Sequence, residues 1–401
     1  MFIGIVAPIA THDLVPGLGR QGGPYPRGRA GAPLISNLIK EYLRRGHRVL
    51  ALTLDEQLPD DQPPFVYAAG RLTYVVVPCR QRTFRPNGKR LGRTADFYRF
   101  ERRQLLAVLR QYQPEVVHAH WTYEFALAAL AYSPDTLITV HDNARIVFNY
   151  VRTLNRFFLL LMARYVFRKG RWFTAVSPYM AGTVQPWTAA PVAVVPNPVV
   201  VPEPNRRPRP PRSRPVISLV VNGWDDRKNS KAALLAFGQI RERHPGAVLW
   251  AMGTAFVPDD AAAAFCEQHA ITNVVFFGPT PHGEVLERIA ASTLVLHTSL
   301  EESFGMVLAE AMSYGIPVVA GQHSGAVAWV VQDGGLLVDV TSIDAIVAAT
   351  DRLLSDPALY HSLSANAVRV VRERFLLEKV ADQYLALYQQ CGAWQRVAPD
   401  F

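Results

Sequence analysis

Short apolar runs alternate with longer amphipathic segments along the chain, and the clearest example lies between residues 293 and 320. There an apolar run and a polar turn precede a segment of helix-forming composition, and a second apolar run follows. Gly315 stands where that helix would end, and Pro317 prevents its continuation. The pattern therefore predicts one parallel βαβ unit. Its predicted parts are a strand at Thr293–Thr298, a turn at Ser299–Ser303, a helix at Phe304–Tyr314 and a strand at Ile316–Ala320.

The same alternation fills both halves of the 401-residue chain. Eight prolines between Pro196 and Pro215 separate the halves, and no packed element tolerates that density. The sequence therefore predicts an α/β protein with two doubly wound, Rossmann-like domains. The predicted segments are an N-terminal domain at 1–195, a proline-rich linker at 196–215, a C-terminal domain at 216–375 and a helical segment at 376–401.

Hydrophobic residues make up 49% of the chain and charged residues 19%, which favours a globular protein with sizeable cores. The three cysteines, Cys79, Cys266 and Cys391, fit neither a disulfide framework nor a metal site, so we expect a reducing, cytoplasmic location. We expect no signal peptide, and no apolar run is long enough to span a membrane.

The formal net charge of +9 suits nucleic acid, an anionic membrane surface or phosphorylated substrates. We expect no nucleic-acid partner, because no nucleic-acid motif is present and the arginines are scattered. Peripheral contact with the cytoplasmic face of an anionic membrane is a candidate, because arginines flank the apolar segment Asn155–Lys169; packing in the core is the alternative. The basic loop Arg80–Arg93 could meet an anionic acceptor or lipid headgroups, with a solvated loop as the alternative.

Two acidic residues and a glycine suggest a ligand site at the predicted βαβ unit. Gly305 opens the helix, where free backbone N–H groups suit a phosphate and a ligand can approach closely. Glu310 is the only charge in an apolar helix, so its carboxylate needs donors, which the vicinal hydroxyls of a ribose would supply. Glu302 could accept hydrogen bonds from hydroxyls beyond the phosphate. One ligand made of a hydroxylated sugar, a diphosphate, a ribose and a base fits these positions.

Polar residues also follow predicted strands at their carboxyl ends, where open α/β sheets bind ligands. In the C-terminal half Arg227 and Lys228 follow the strand at 216–221 and could neutralise a diphosphate. Thr280 follows the strand at 273–277 and could offer backbone groups to a base. A solvated turn is the alternative for the basic pair.

In the N-terminal half the strands predicted at 116–119 and 136–140 are followed by His120–Trp121 and His141–Asp142. A single histidine at a strand end is usually structural, whereas two at neighbouring strand ends favour a functional role. Gly31 lies in a glycine- and proline-rich loop that precedes a helix and could bind an anion. A flexible surface loop is the alternative there.

From Glu302 the sequence reads E-S-F-G-M-V-L-A-E-A-M-x-x-G-I-P-V-V, which resembles the donor-site signature of retaining glycosyltransferases of family 4. The resemblance covers nearly the whole chain and is most specific in its second half. It implies the GT-B fold, in which two Rossmann-like domains face a cleft and a terminal helix crosses back to the first domain. It also implies an acceptor-binding N-terminal domain and a C-terminal domain that binds a nucleotide sugar.

The same resemblance assigns roles to particular residues. His141 is expected beside the reacting anomeric carbon, and an arginine–lysine clamp is expected to hold the diphosphate without a divalent metal or other cofactor. The family's usual arginine directly after the glycine is replaced by Trp224, which leaves Arg227 and Lys228 for that clamp. The expected catalytic residues are His141, Glu302 and Lys228. The expected donor-binding residues are Arg227, Lys228, Thr280, Glu302, Ser303, Phe304, Gly305, Met306, Val307 and Glu310. The expected acceptor-binding residues are Gly31, His120, Trp121 and Asp142.

We therefore expect an enzyme that moves a sugar from a nucleotide diphosphate to a hydroxyl of a carbohydrate or lipid-linked acceptor, with retained configuration. Synthesis of a glycan, glycolipid or polysaccharide is the expected setting. Two alternatives stay open at this point. One is a nucleotide-sugar epimerase, or a phosphorylase, of the same architecture. The other is a basic protein that binds nucleic acid or anionic lipid and has an inactive site.

Overall fold

The structure, a computed structural model, describes residues 1–18, 25–29, 33–202 and 214–395, with side chains described up to Cys391. The chain divides into two compact units. One comprises Met1–Pro198 together with the chain from Leu377 onward, and the other comprises Val199–Leu376. Most of the proline-rich segment, residues 203–213, lies outside the described residues. Each unit has its own sheet and its own apolar core.

The N-terminal unit is built on a mostly parallel sheet. Its strands are β1 (Phe2–Val6), β2 (Arg48–Asp55), β3 (Phe65–Ala69), β4 (Leu72–Pro78), β5 (Val116–His120), β6 (Leu137–Val140), β7 (Trp172–Ala175) and β8 (Val192–Val194). Among the described residues they form one sheet in the order β3-β4-β2-β1-β5-β6-β7-β8, in which only the β3–β4 pair is antiparallel. Every residue of β1 is buried, as is typical of a central strand covered by helices on both faces.

Helices α1 to α7 connect these strands. They span Thr11–Leu14, Pro33–Arg44, Arg99–Tyr112, Glu124–Tyr132, Ala144–Tyr150, Leu154–Lys169 and Pro178–Val184. Asn143 caps α5 by accepting hydrogen bonds from two backbone N–H groups, and Ser177 caps α7 in the same way with one. The helix predicted at Asn155–Lys169 is confirmed as α6, which begins one residue earlier.

The C-terminal unit has a fully parallel sheet. Its strands are β9 (Val216–Val220), β10 (Val248–Met252), β11 (Val274–Gly278), β12 (Leu294–His297), β13 (Val318–Gly321) and β14 (Gly335–Val338). Over the described residues their order is β11-β10-β9-β12-β13-β14. Helices α8 to α14 span Ser230–Arg243, Ala261–Gln268, His282–Ala291, Met306–Ser313, Val327–Val331, Ile343–Ser355 and Pro357–Arg374.

The predicted βαβ unit is confirmed as β12, α11 and β13. The helix begins at Met306, two residues later than the sequence pattern suggested, because Gly305 takes a left-handed conformation with a φ of 87°. Phe304 therefore lies before the helix, where it is buried and packs edge-to-face on Phe375 at a centroid distance of 5.2 Å. Phe304 was expected to contact the donor. Its side chain instead packs in the interior of the C-terminal unit, next to the turn before α11.

The last described helix, α15 (Leu377–Gln395), belongs to the N-terminal unit and packs on α2 and β5. Arg45 of α2 donates a hydrogen bond to the carbonyl of Glu378 at 2.8 Å and forms an ion pair with Asp382. In the C-terminal unit, the Val199 N–H donates to the Phe375 carbonyl at 2.7 Å. The first and last residues of this unit therefore run side by side.

Candidate active site

The loop after β12 carries the first acidic residue of the predicted site. Glu302 forms an isolated parallel bridge with Gly325, and its carbonyl accepts a hydrogen bond from the Ala326 N–H at 2.9 Å. Gly305 then reverses the chain into α11, whose first N–H groups have no intrahelical acceptors. Ser303 lies two residues before Gly305, and Met306 and Val307 are the first two residues of α11. The geometry is suited to an anion at the N-terminal end of α11.

Lys228 and Glu302 form an ion pair at this loop, with 2.6 Å between Nζ and Oε1. The two side chains are 15% and 14% exposed, so both atoms are largely removed from water. His297 at the end of β12 lies behind the carboxylate, with its Nε2 3.5 Å from the same oxygen. Burial alone would raise the pKa of Glu302, but attraction to Lys228 and His297 outweighs it and holds that pKa well below its usual range. Glu302 is therefore a carboxylate at neutral pH.

Arg227 lies next to this pair but is held differently. Its guanidinium is 3.9 Å from Asp225 and 3.8 Å from Glu301, both beyond hydrogen-bond distance. Its Nε is buried and has no hydrogen-bond partner among the described residues. The Arg227 carbonyl accepts from the Leu300 N–H at 2.7 Å, which joins the turn after β9 to the loop after β12. This link brings Arg227 and Lys228 close to Glu302, although Glu302 follows Lys228 by 74 positions in the sequence.

Trp224, which stands where the resembled family has an arginine, turns away from this site. Its ring packs edge-to-face on Phe265 at 6.1 Å and on Phe256 at 6.4 Å, as part of the apolar core of the C-terminal unit. The position directly after Gly223 thus contributes to the core and supplies no charge for a phosphate. Lys228 and Arg227 are the cations of this turn.

Glu310 on α11 is 13% exposed, and its Oε1 lies 2.7 Å from Nε2 of His282, the first residue of α10. The carboxylate therefore has a protein donor in addition to any ligand hydroxyl. His282 was not selected from the sequence, since it follows Pro281 at an ordinary helix start and nothing nearby marks it. A carboxylate accepts up to four hydrogen bonds, so the contact with His282 leaves room for a ribose.

A pocket of about 340 Å³ lies within the C-terminal unit at the carboxyl ends of β9, β10 and β11. Its lining residues are Val220, Asn222, Gly253, Pro279, Thr280, Pro281 and Val285. Gly253 has a φ of 107°, and an added Cβ there would lie 2.2 Å from the Val221 carbonyl oxygen, so only glycine fits. Pro281 borders both this pocket and His282, which places the pocket beside Glu310. Asn222 and Gly253 were not among the expected site residues.

The histidines of the N-terminal unit form a buried cluster. Nδ1 of His120 lies 2.9 Å from Nε2 of His141, and the rings of His118 and His120 are 4.0 Å apart. Trp121, with a φ of 65°, stacks on His141 at a centroid distance of 4.2 Å. His120 is 1% exposed and His141 is 7% exposed. The structure therefore differs from the expected direct contact of His120 with an acceptor, because the His120 side chain is almost fully buried and contacts His141.

Tyrosines of α15 complete this cluster. The Tyr388 hydroxyl lies 2.6 Å from Nδ1 of His118, and Nε2 of His118 lies 2.7 Å from the Thr139 hydroxyl. The Tyr388 hydroxyl also lies 3.2 Å from that of Tyr42 on α2. Burial lowers the pKa of His118, together with the effect of His141, and burial lowers the pKa of His141 itself, in both cases to about 3. Both imidazoles are neutral at physiological pH.

Asp142 and Gly31 are the remaining residues that were predicted to bind the acceptor. The Tyr123 hydroxyl donates to Oδ1 of Asp142 at 2.9 Å, directly before the capping residue of α5. Gly31 lies outside the described residues. The nearby Arg29 does lie inside them and forms ion pairs with Glu124 and, at 3.3 Å, with Glu56.

Two family models together match residues 33–370 of the chain. The model described as "Glycosyltransferase Family 4" matches residues 33–201, and the model described as "Glycosyl transferases group 1" matches residues 202–370. The chain belongs to the family 4 glycosyltransferases. It is therefore an enzyme, and the expected family is confirmed.

Individual relatives match over shorter stretches. N-acetyl-alpha-D-glucosaminyl L-malate synthase of Bacillus anthracis is 35% identical over 122 residues, which are 30% of this chain and 31% of that protein. The chain thus spans less than a third of the length of this curated relative.

Solved structures match over nearly the full length of the chain. Sucrose-phosphate synthase of Thermosynechococcus elongatus has a TM-score of 0.75 at 20% identity, covering 98% of this chain and 100% of that one. HepE of Anabaena, solved in complex with UDP-glucose, has a TM-score of 0.66 at 15% identity, covering 97% and 100%. At these identities the likeness concerns the fold, and it confirms two Rossmann-like domains of the GT-B type.

Three of the six cations in the basic loop of the glycosyltransferase pair with acidic residues. Arg80 is buried and bonds to Asp96 and Glu101, both at 2.7 Å. Arg93 pairs with Glu56 at 3.0 Å, and Arg90 pairs with Asp60. The suggestion that this loop meets an anionic acceptor is therefore wrong for these three arginines, because acids of the same unit already neutralise them.

Two general features of the described residues bear on cofactors and membranes. No group of three or more His, Cys, Asp or Glu side chains among them is arranged to hold a metal ion. None of the helices described here combines the length and the apolar composition needed to cross a membrane.

Proposed function

We propose that this glycosyltransferase moves a sugar from a nucleotide diphosphate sugar to an acceptor hydroxyl with retained anomeric configuration. The observation that carries the proposal is the arrangement of Lys228, Glu302 and Glu310 around the start of α11. A cation, a helix N-terminus and two acceptors of hydroxyl hydrogens lie there in one unit, beside a pocket of about 340 Å³. Together these features meet the requirements of a donor made of a sugar, a diphosphate, a ribose and a base.

Each part of the donor is assigned to one of these groups. The base occupies the pocket lined by Asn222, Gly253 and Thr280, and the ribose hydroxyls donate to Glu310. The diphosphate lies against the first N–H groups of α11, at Gly305 to Val307. The UDP-glucose bound to the Anabaena relative is a donor of this chemical class.

Lys228 serves the diphosphate without leaving Glu302. An ammonium has three hydrogens, of which one is directed at Glu302, so the others are available to phosphate oxygens. Glu302 in turn accepts from hydroxyls of the donor sugar through its second oxygen. Arg227, whose Nε has no hydrogen-bond partner among the described residues, contributes a second positive charge. These cations stabilise the departing phosphate, so we propose transfer without a divalent metal.

The chemical step follows from a donor held in this way. The acceptor oxygen forms the new bond to the anomeric carbon on the face from which the phosphate departs. The bond to the phosphate oxygen breaks, and that oxygen takes the proton of the acceptor hydroxyl. His141, which is neutral because of its low pKa, is proposed to supply a hydrogen-bonding group to the reaction without adding charge. His120 orients His141, and Trp121 and Asp142 border the acceptor.

We propose a carbohydrate or lipid-linked acceptor and a cytoplasmic role in glycan, glycolipid or polysaccharide synthesis.

A ligand screen tests the donor class. Thermal unfolding is measured with UDP-, GDP- and ADP-glucose and with the three free nucleoside diphosphates. The proposal predicts that one nucleotide series raises the melting temperature and that turnover of its sugar requires an acceptor. Turnover of the donor without any acceptor would favour the epimerase, and no response to any nucleotide would refute the proposed donor class.

A further inference from the structure

Helix α6 and the residues just before it expose a continuous apolar row. Its members are Tyr150, Leu154, Phe157, Leu161 and Tyr165, which are 43%, 60%, 42%, 39% and 54% exposed. These five belong to the large hydrophobic side chains that are exposed to water among the described residues. We call this row the α6 face.

The spacing of the row follows the helix. Leu154, Phe157, Leu161 and Tyr165 are three or four positions apart and therefore lie on one side of α6. The opposite side is buried through residues such as Met162, Val166 and Phe167. The expectation that this helix packs in the core is thus correct for one side only, and no described part of the chain covers the other side.

The excess positive charge of the chain concentrates around the same row. No Asp or Glu occurs from Asn143 to Pro202, whereas seven Lys or Arg residues lie between Arg145 and Arg171. Of these only Arg171 forms an ion pair with a described residue, Asp135 at 3.5 Å. Arg145, Arg152, Arg164, Arg168 and Lys169 are exposed. The basic loop at residues 80–93 differs, because acidic residues of the same unit form ion pairs with Arg80 and Arg93 there.

A pocket adjoins the row on its charged flank. It has a volume of about 270 Å³ and is lined by Arg164, Arg168, Pro186 and Trp187. The Arg164 guanidinium lies 5.8 Å from the centre of the Trp187 ring, so stacking on the indole orients it. Two guanidinium groups one helical turn apart are well suited to a single phosphate. The pocket therefore has the chemistry of a phosphate site at the edge of an apolar surface.

We propose that the α6 face docks on an anionic membrane, with the apolar row entering the headgroup boundary and a lipid phosphate bound between Arg164 and Arg168. The inference goes beyond the proposed function and does not depend on the donor. An exposed apolar row flanked by cations is the arrangement of helices that lie in a membrane surface. It would also bring the enzyme to lipid-linked acceptors.

Other occupants fit the observations less well. Nucleic acid would satisfy the arginines but would leave the leucines and Phe157 in water. A second copy of the chain would place like charges opposite each other, because a two-fold interface brings the same patch together from both sides. An anionic bilayer satisfies the charges and the apolar row at once.

Flotation with lipid vesicles tests the proposal on the full-length protein. One set of vesicles is phosphatidylcholine alone, and the other contains about one third phosphatidylglycerol, whose negative surface attracts basic segments. The charge variant is R164Q/R168Q and the apolar variant is L154S/L161S. The control is R110Q/R372Q, which removes the same net charge from exposed arginines elsewhere that form no ion pair among the described residues. Circular dichroism and melting temperature establish that each variant is folded.

We expect the wild type to bind the anionic vesicles and not phosphatidylcholine. The charge variant should bind about tenfold more weakly, as should the apolar variant, and the control should lose about twofold or less. Equal loss in the control and the charge variant would overturn the proposal, since net charge alone would then explain binding.

Two further experiments distinguish membrane docking from binding of a soluble phosphate and from self-association. The first measures whether millimolar inorganic phosphate, without vesicles, protects the wild type and not R164Q/R168Q from thermal unfolding. Protection in the absence of any vesicle binding would overturn the membrane docking in favour of a soluble phosphate ligand. The second measures molar mass by light scattering. A dimer that L154S/L161S abolishes, again without vesicle binding, would overturn it in favour of self-association.

Discussion

The Nζ of Lys228 lies 2.6 Å from the Oε1 of Glu302, and this contact joins the loop after β9 to the loop after β12 in the C-terminal unit. Both side chains are mostly buried, so each depends on the other for its charge to be tolerated. The same pair stands at the N-terminal end of α11, where a diphosphate is proposed to bind. Its structural and functional roles can therefore be separated by a double-mutant cycle.

Replacing Lys228 by methionine should reduce turnover about a hundredfold or more, because the charge that stabilises the leaving phosphate is lost. It should also lower the free energy of unfolding by roughly 1–3 kcal/mol, since Glu302 is left without its main partner. The double variant K228M/E302Q should recover most of that stability and none of the turnover. Kinetics and urea unfolding of the three proteins measure both effects. If the double variant regained activity, the assignment of Lys228 to the diphosphate would be wrong.

The buried histidines predict a particular dependence of stability on pH. In the unfolded chain histidines have a pKa of about 6.5. In the folded protein the pKa of His118 and of His141 is lowered to about 3. Between these values the unfolded state binds more protons, so stability is complete above pH 6.5 and is lost as the pH falls through this window. Within this window, each of the two histidines lowers the free energy of unfolding by up to about 1.4 kcal/mol for every unit by which the pH falls.

Urea unfolding at a series of pH values from 7.5 to about 5 checks this slope, in a range above the titration of free carboxylates. The low pKa of Glu302 acts in the same direction but only below the usual pKa of 4.5 for that side chain. The variant H118Q should show a shallower slope, whereas H361Q, which replaces an exposed histidine, should match the wild type. A free energy of unfolding that stays constant down to pH 5 would argue against neutral buried imidazoles.

Tyr388 is proposed as a positioning residue, because its hydroxyl holds His118, which packs on His120 and thereby on His141. Y388F should lower kcat several-fold and leave KM for the donor unchanged, with a loss of about 1 kcal/mol in stability. Y360F is the matched control, since the Tyr360 hydroxyl is also buried and donates to the Thr293 carbonyl at 2.9 Å in the other unit. The control should lose similar stability and keep its kcat. Equal kcat in the two variants would restrict Tyr388 to a structural role.

Chelation tests the proposal that Lys228 and Arg227 replace a metal at the diphosphate. Turnover measured after dialysis against EDTA should equal that of untreated enzyme, and added Mg²⁺ or Mn²⁺ should not raise it. Loss of activity that either ion restores would show that these cations are insufficient.

The sequence was informative where the chemistry is local. Gly305, the helix after it and the strand ends before His120 and His141 follow from periodicity, turn residues and the parallel-sheet rule, all of which act over a few positions. The spacing of Glu302 and Glu310 is likewise local.

Contacts between distant segments could not be derived in the same way. Glu310 meets His282 from another helix, and His118 meets Tyr388 across 270 positions, so only the tertiary fold brings them together. The orientation of Trp224 into the core and the neutralisation of Arg80 also depend on neighbours that no local pattern identifies.

The C-terminal unit is proposed to bind a nucleoside diphosphate around Glu310. Isothermal titration with the diphosphate that gives the largest thermal shift tests it most directly, on the wild type, E310Q and E284Q. Glu284 is an exposed glutamate of the neighbouring helix α10 and serves as the matched control. We predict that E310Q binds about tenfold more weakly, because a ribose hydroxyl loses a charged acceptor, while E284Q binds as the wild type does and all three melt alike without ligand. Unchanged affinity in E310Q would contradict the account.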